Sequence, residues 1–411
     1  MSISRRCEIP PTAGLPLEWE DFRAKPRSLS ATLARFLSIP PPIMTCSGTA
    51  ALIMALRTLQ QRLPGRSRLI VPAYTCPLVA LAAHFCPGLK IIPCDLLPNS
   101  IDLCPQQLAS LCNEQTLAVV VTHLAGRVAD TDTALAIAKS VGAAVIEDAA
   151  QSLGAQDGED SLGLKGDIGF FSLAIGKGLT SAEGGVLFSR DAILHQQLVA
   201  QCANGLPTNI RWEITRTLQL FSYKLFYRPD RLFWVYGRAL RRAIARGDSV
   251  AAVGDDFSIA DIPLHRLGVK RQRVAAAATA RLPAYLAEGK IRAQRRLAQL
   301  SQLPGVKVLD DGPGKQGVWP FLMVMMPSQR ERDAAMQRLW TAGLGVTRLF
   351  INTLPDYPDV VPLLGDTLSL SNAQDFARRT LSVSNSHWLT DEKFAAILHV
   401  LRQSLLNASS D

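Results

Sequence analysis

Histidine is scarce in this sequence, with 6 in 411 residues, and its 8 cysteines never form a C-x-x-C pair. Closed zinc sites need clustered sulfur and nitrogen ligands, so no zinc framework is visible and no metal is expected. The cysteines, at positions 7, 46, 76, 86, 94, 104, 112 and 202, are spread thinly over the first half. They read as free thiols in a reducing cytoplasm. The stretch Met1-Ser-Ile-Ser-Arg-Arg-Cys-Glu-Ile-Pro10 lacks the apolar run of a signal peptide. No uninterrupted apolar stretch reaches the roughly 20 residues that span a bilayer. Internal repeats and low-complexity segments are missing too. Charged residues are only 19% against 48% hydrophobic, which suits a globular chain with ample core. A chain of 411 residues exceeds one ordinary core, so two domains are expected. The surplus of Lys and Arg, 44 against 35 acids, gives a net charge of +9. It points to anionic partners such as phosphates, nucleotides or a lipid surface, without choosing among them.

What is present centres on one stretch, Phe170-Phe-Ser-Leu-Ala-Ile-Gly-Lys-Gly-Leu-Thr-Ser-Ala-Glu-Gly-Gly185. A lone lysine, Lys177, stands between two glycines among residues typical of an interior. Desolvation lowers a lysine pKa, because the charged form loses hydration. A neutral amine is a nucleophile, and its natural partner is a carbonyl, giving a Schiff base. The competing reading is a lysine on a tight turn that reaches out to water. A nucleotide-binding loop at Gly176-Lys177 is excluded, since Gly178 follows where Ser or Thr is required and the leading glycine is missing.

Residues 1 to about 43 are Pro- and Arg-rich and read as irregular, with a short helix at Ser28–Phe36. Thr45-Cys-Ser-Gly-Thr-Ala-Ala-Leu52 opens a helix running to about Gln61. Ser47, Gly48 and Thr49 at its start suit an anion, through free amides and the helix dipole, or serve as plain caps. Short β-branched runs follow at Leu69–Pro72, Lys90–Cys94, Leu117–Thr122, Ala144–Asp148 and Gly185–Ser189, with a helix at Thr131–Ser140. Strands alternating with helices predict a largely parallel, buried sheet. Ligands of such sheets bind beyond the carboxyl ends of strands, which draws attention to His123 and Asp148. Asp148 is either a helix cap or the partner of a cationic ligand.

Between Arg211 and Arg246 there are nine Lys/Arg, two acids and eight aromatics. Ile214, Leu218, Phe221 and Leu225 share one helical face, and Arg231, Arg238, Arg241 and Arg242 another beyond Pro229. Two basic amphipathic helices broken at the proline are expected. A membrane-surface contact, a lid over an anionic substrate and a subunit contact all fit the pattern. Arg273–Leu300 reads as one long helix into a second domain. There Val318–Met326 is a strand whose proline implies an edge position or a late start, and helices follow at Arg330–Ala342 and Asp391–Leu406. The tail from Asn407 to Asp411 should be loose.

In this order the pieces resemble the DegT/StrS family of pyridoxal-phosphate (PLP) sugar aminotransferases, of fold type I. The likeness is carried by Ser47-Gly-Thr-Ala-Ala-Leu52, Val71-Pro-Ala-Tyr-Thr75, Ile146-Glu-Asp-Ala-Ala-Gln-Ser-Leu-Gly154, and Gly166-Asp-Ile-Gly-Phe-Phe-Ser172 through Lys177 to Glu183-Gly-Gly185. Thr122-His-Leu-Ala-Gly126 is a weaker fifth. It covers residues 40–200 well and 260–405 loosely. The resemblance implies an α/β fold: a large domain with a mainly parallel sheet flanked by helices, at residues 44–290, then a small α+β domain at 291–411. An N-terminal segment at 1–43 and a basic aromatic insertion at about 206–250 complete the division. It implies PLP attached to Lys177 as a Schiff base, with Lys177 then serving as the acid/base. Asp148 would pair with the ring nitrogen, Gln151 would contact the ring 3-oxygen, and Gly48, Thr49 and Ser172 would hold the phosphate.

Two departures stand out. Cys76 follows Tyr74-Thr75 where the family often has an aromatic that stacks on the ring, so the stacking is either weaker or comes from elsewhere, with His123 a candidate. The family's Asn-x-Arg-Met-Ser element appears as Leu267-Gly-Val-Lys-Arg-Gln-Arg273, so its substrate contacts do not carry over. A branch with histidine in place of the lysine performs dehydration, and Lys177 argues against that chemistry. The resemblance thus implies an aminotransferase moving an amino group from an amino acid, glutamate or glutamine, to a keto-sugar. The acceptor would be nucleotide-linked and belong to cell-envelope or secondary-metabolite glycan synthesis. A cytoplasmic homodimer, with no nucleic-acid partner and a contact at the inner membrane face through 211–246, completes the expectation. Other PLP chemistry on the same scaffold, or a non-catalytic cofactor-binding or membrane-surface protein, are the alternatives.

Overall fold

The computed structural model describes residues 7–25 and 27–408. Its main sheet has seven strands: β1 (Ile43–Thr45), β2 (Arg68–Pro72), β3 (Lys90–Cys94), β4 (Thr116–Thr122), β5 (Ala144–Asp148), β6 (Ile168–Ser172) and β7 (Gly185–Phe188). Their order is β1-β7-β6-β5-β4-β2-β3. The pairs from β6 through β3 are parallel, and β7 and β1 are added antiparallel at one edge. Every residue of β4, Thr-Leu-Ala-Val-Val-Val-Thr, is buried, as a β-branched strand covered on both faces should be. The expected parallel sheet is therefore present.

Two of its members were not legible: β1, at the end of the stretch read as irregular, and β6. Ile168–Ser172 contains Gly169 inside a five-residue strand, and glycine weakens a strand signal. Here Gly169 is needed, because a Cβ would run into the backbone of Gly163.

A second, antiparallel sheet contains β8 (Lys307–Val308), β9 (Phe321–Met325), β10 (Val346–Thr347) and β11 (Thr380–Ser384), in the order β8-β9-β11-β10. The strand expected at Val318–Met326 begins only after Pro320, the late start that its proline implied.

Among the helices, α1 (Trp19–Arg23) and α2 (Leu29–Leu37) lie in the N-terminal stretch, and α3 (Gly48–Arg62) follows β1. The basic stretch forms α4 (Ile210–Phe226), a short helix from Pro229, a wider turn at Phe233–Gly237, and α5 (Arg238–Ala245). The chain does break at Pro229, but the second helix is not continuous. The expected long helix Arg273–Leu300 is also interrupted. It is α6 (Val269–Ala278), one tight turn, and α7 (Leu282–Leu300), with Pro283 in the first turn of α7. Proline has no amide to donate and suits a helix start better than an interior. Helix α8 (Gln329–Leu339) packs on β10 and β11 of the second sheet, and α9 (Asp391–Ala408) packs on α8. The expected loose tail lies largely outside the described residues.

The N-terminal stretch runs as a strap across the molecule. Glu8 N donates to Pro229 O, Ile9 N to Gly343 O, Ala13 N to Pro320 O, and Leu15 N to Gly178 O. It thus joins the basic insertion, both sheets' loops and the lysine turn. Ile9, Leu15, Leu17, Leu29 and Leu33 are buried, so much of this stretch belongs to the core.

Candidate active site

The carboxyl edge of the main sheet gathers the residues singled out in the sequence. Asp148 ends β5, is buried, and accepts a hydrogen bond from Ala150 N at 3.0 Å. Burial pushes its carboxyl above the usual range, against the Ala150 amide and the nearby Lys177. Lys177 lies on the turn between β6 and β7, where Gly176 takes φ +85°. Burial pushes its amine below the usual lysine range, against the opposing pull of Cys76 and Asp148. Both residues open on one cavity of about 450 Å³. That volume is within the roughly 300–1,000 Å³ of small-molecule sites.

At one end of this cavity is the start of α3. Ser47 caps the helix, its Oγ accepting from Ala50 N at 3.0 Å. The amides of Gly48 and Thr49 belong to the first turn, which no intrahelical carbonyl satisfies. Ser172, the last residue of β6, packs against them: a Cβ on Gly48 would stand 3.2 Å from the Ser172 Cβ. Gly185 is equally constrained, since a Cβ there would strike the Ser47 carbonyl. The Glu-Gly-Gly turn thus fixes where the helix start sits. Unpaired amides, a helix dipole and a serine hydroxyl make this end suitable for a phosphate.

The remaining wall includes Thr75, Cys76, His123, Gln151, Phe257 and Phe350. Gln151 Oε1 accepts from Ala125 N at 2.7 Å, which leaves its amide NH2 as a donor. His123 is held at both ring nitrogens. Nδ1 accepts from Ala129 N at 3.1 Å, and Nε2 lies 2.9 Å from Glu147 Oε2. The first bond assigns the proton to Nε2, so that Nε2–H donates to Glu147. The Glu147 carboxyl is itself buried, which opposes its charge. The His123 bond and the Gly166 and Gly163 amides outweigh that and hold it below the usual range. His123 therefore has one fixed orientation in the cavity wall. The Cys76 thiol, pushed up to about 12 by burial, stays protonated at neutral pH.

The structure adds residues that the sequence reading passed over. Arg271 is wholly buried and donates from Nε to Glu213 Oε2 at 2.9 Å, and from Nη1 to the carbonyls of Ser181 and Glu183. Arg216 Nε lies 2.8 Å from a Glu183 carboxylate oxygen. The inner face of α4 is thereby tied to the turn that closes the lysine loop. Asp255, just past the insertion, also lines the cavity and accepts from Ile351 N at 3.1 Å and Tyr357 Oη at 2.9 Å. Arg271 was hidden in the run Lys-Arg-Gln-Arg, which reads as a solvated face. Asp255 sits in a polar loop with no motif around it.

A buried amine and a buried carboxylate at the carboxyl edge of a parallel sheet, with an anion-ready helix start beside them, are what a pyridoxal-phosphate enzyme asks of its protein. Comparison with known proteins gives the class a family. This chain belongs to the DegT/DnrJ/EryC1/StrS aminotransferase family, whose model matches residues 19–225. Pyridoxal phosphate is the cofactor of that family. Protein MosB of Rhizobium meliloti is 38% identical over 168 residues, covering 40% of this chain and 32% of that protein. The L-glutamine:2-deoxy-scyllo-inosose aminotransferase of Streptomyces fradiae is 32% identical over 204 residues, 48% of this chain and 47% of its own. The UDP-N-acetyl-3-dehydro-alpha-D-glucosamine 3-aminotransferase of Acidithiobacillus ferrooxidans is 32% identical over 188 residues, 46% and 49%. In these matches the chain spans half or less of each relative's length. Among solved structures, DesI in the presence of its TDP-sugar product superposes with a TM-score of 0.73 at 18% identity, over 99% of this chain and 96% of that one. The aminotransferase TlmJ from Streptoalloteichus hindustanus gives 0.71 at 19%, over 96% and 93%. At such identities the likeness establishes the fold.

Proposed function

We propose that this chain is a PLP-dependent aminotransferase that moves an amino group from an amino acid, glutamate or glutamine, to a keto-sugar. The acceptor is a nucleotide-linked sugar of cell-envelope or secondary-metabolite glycan synthesis. The observation that carries the reading is the meeting of Lys177, Asp148 and the start of α3 on one cavity. The relatives named for amino transfer to an inosose and to a UDP-sugar support the substrate class.

The residues present fit the cofactor. When bound, pyridoxal phosphate supplies an aldehyde that carries the amino group and a ring that withdraws electrons from the substrate carbon. The Lys177 amine, whose pKa burial lowers, would be the attachment point and would afterwards take and return the proton at the substrate carbon. Asp148 would accept from the ring N–H. A cation against this carboxylate offsets the burial that otherwise favours its neutral form. Gln151 would donate from its amide to the ring 3-oxygen, and the Gly48 and Thr49 amides with the Ser172 hydroxyl would hold the phosphate. His123, fixed by Glu147 and Ala129, supplies a flat wall where Cys76 offers none. The protein works as a homodimer in the cytoplasm, at the inner face of the membrane.

An absorption spectrum tests this reading. The wild-type protein with added PLP should show a band that borohydride fixes, and Lys177→Ala should not. Glutamate or glutamine should then convert the wild-type cofactor to its amino form. A fixed band that neither donor converts would leave PLP binding in place and remove aminotransfer. No fixed band in the wild type would remove both.

A further inference from the structure

The amphipathic helix α4 is turned the opposite way from an ordinary surface helix. Ile214 and Leu218 expose 58% and 62% of their surface, and Ile210, Phe221 and Leu225 on the same face are exposed as well. The buried residues of the helix are Leu220 and Tyr223, and its inner face also carries Glu213 and Arg216. Tyr223 Oη donates to Leu15 O at 3.1 Å, so this face is anchored on the N-terminal strap. An outward apolar stripe of five large side chains marks an interaction surface rather than scattered exposure.

The stripe has neighbours of a particular kind. At helical spacing Arg211 and Lys224 flank it on opposite sides, where their stems reach around apolar surface. Phe22 stacks on Phe221 with centroids 4.5 Å apart and brings in Trp19, which is exposed and 5.9 Å from the Lys224 amine. Phe226 ends α4, and beyond it come Arg228, Arg231, Trp234 and Val235, all exposed. Arg238 stands 5.4 Å over the Trp234 ring.

We propose that this face is a docking surface for anionic lipid, on which the protein lies with α4 in the headgroup region. Charge selects the occupant. The two acids of the 211–246 stretch are already engaged: Glu213 with Arg271, and Asp230 between Arg228 and Arg231. Within that stretch what remains outward is cationic, so a second copy of this chain meeting it there would bring like charge against like. Interleaved arginine, tryptophan and phenylalanine around an aliphatic stripe match an interface with anionic headgroups above and acyl chains below. No described helix is long and apolar enough to cross a membrane, so the contact lies on the bilayer. The same helix holds Arg271 and Glu183 on its inner side, which places the docked surface beside the cofactor cavity.

Co-sedimentation of the full chain with vesicles tests the proposal independently of catalysis. One set is phosphatidylcholine and phosphatidylglycerol in equal parts, the other phosphatidylcholine alone. The protein should sediment with the anionic set at low ionic strength and be largely released at about 1 M salt, where the Debye length is about 3 Å. The triple variant Ile214→Ser, Leu218→Ser, Leu225→Ser should lower the bound fraction on the order of tenfold, with an unchanged circular dichroism spectrum. Arg228→Glu with Arg231→Glu provides a second variant on exposed side chains, with the same expected loss. Wild-type protein left in the supernatant of anionic vesicles at low salt overturns the proposal, as does undiminished binding by both variants. Sedimentation velocity without lipid supplies the remaining outcome: a triple variant that breaks an assembly the wild type forms assigns the face to a second copy instead.

Discussion

Arg271 and Glu213 are joined across the seam between α6 and α4, the Arg271 Nε donating to Glu213 Oε2 at 2.9 Å within a fully buried guanidinium site. The other donors of the arginine hold the Ser181 and Glu183 carbonyls, so one side chain couples the basic insertion to the lysine loop. Removing one member of a buried ion pair leaves its partner charged and unpaired, at a cost of about 3–5 kcal/mol. Arg271→Ala is expected to lose stability in that range. Arg271→Lys should lose less in charge but still forfeit the forked geometry. Urea unfolding monitored by circular dichroism measures both. A loss below about 1 kcal/mol in Arg271→Ala would show that the seam does not depend on this pair.

Asp148 and Lys177 give the prediction closest to the chemistry. Asp148→Asn preserves shape and removes charge, so the cofactor should still bind while its ring nitrogen loses its counter-charge. The rate at which glutamate converts the bound cofactor should fall about 10²–10⁴-fold, the range one positioned proton-transfer or charge-stabilising group supplies. Stopped-flow absorbance reads this half-reaction without the acceptor sugar. A variant within a few-fold of wild type would take Asp148 out of the site's chemistry.

Asp255 predicts a pH dependence. Burial pushes its carboxyl up to about 6, against the hydrogen bonds from Tyr357 and the Ile351 amide and the nearby Arg348. An unfolded aspartate titrates near about 3.9, so the folded state binds the proton more tightly between the two values. Stability from this group is full below about pH 4 and is lost as pH rises through about 6. Asp255→Asn should abolish that part, on the order of 2–3 kcal/mol, and flatten the curve over this window. Urea midpoints at pH values below and above the window compare the two proteins. Parallel curves for wild type and variant contradict the assignment.

The residues that meet on the cavity beside Lys177 could be singled out because each sits in a short local pattern. Ser47-Gly-Thr is a helix start, Asp148 ends a β-branched run, and Lys177 is framed by glycines. Such patterns are set by backbone geometry over a few residues, which is what a sequence displays. Arg271 and Asp255 depend on partners far along the chain, at Glu213 and at Tyr357, and nothing nearby distinguishes them from solvated charge. The face shared by Ile214, Leu218, Phe221 and Leu225 was also legible. Its direction was not: an apolar stripe usually turns inward, and only the inward bonds of Glu213, Arg216 and Tyr223 reverse it. The break at Pro283 was overlooked because the alanine- and arginine-rich flanks favour helix strongly on both sides.

The two glycines that bracket Lys177 look equivalent in the sequence and are not. Gly176 takes φ +85°, and a Cβ on it would meet the Thr12 hydroxyl at 2.5 Å. Gly178 has an ordinary φ, and the nearest atom to a Cβ there is the Leu153 carbonyl oxygen at 4.0 Å. A left-handed conformation costs an L-residue about 1–2 kcal/mol before any contact is counted. Gly176→Ala should therefore lose at least that much stability. Because the turn carries the lysine, it should also weaken PLP binding, read as the PLP concentration that half-saturates the borohydride-fixable band. Gly178→Ala meets neither obstacle and should stay within about 0.5 kcal/mol of wild type, with unchanged PLP affinity. Equal effects of the two substitutions would mean that the turn around Lys177 is not held by the Gly176 geometry but tolerates either backbone.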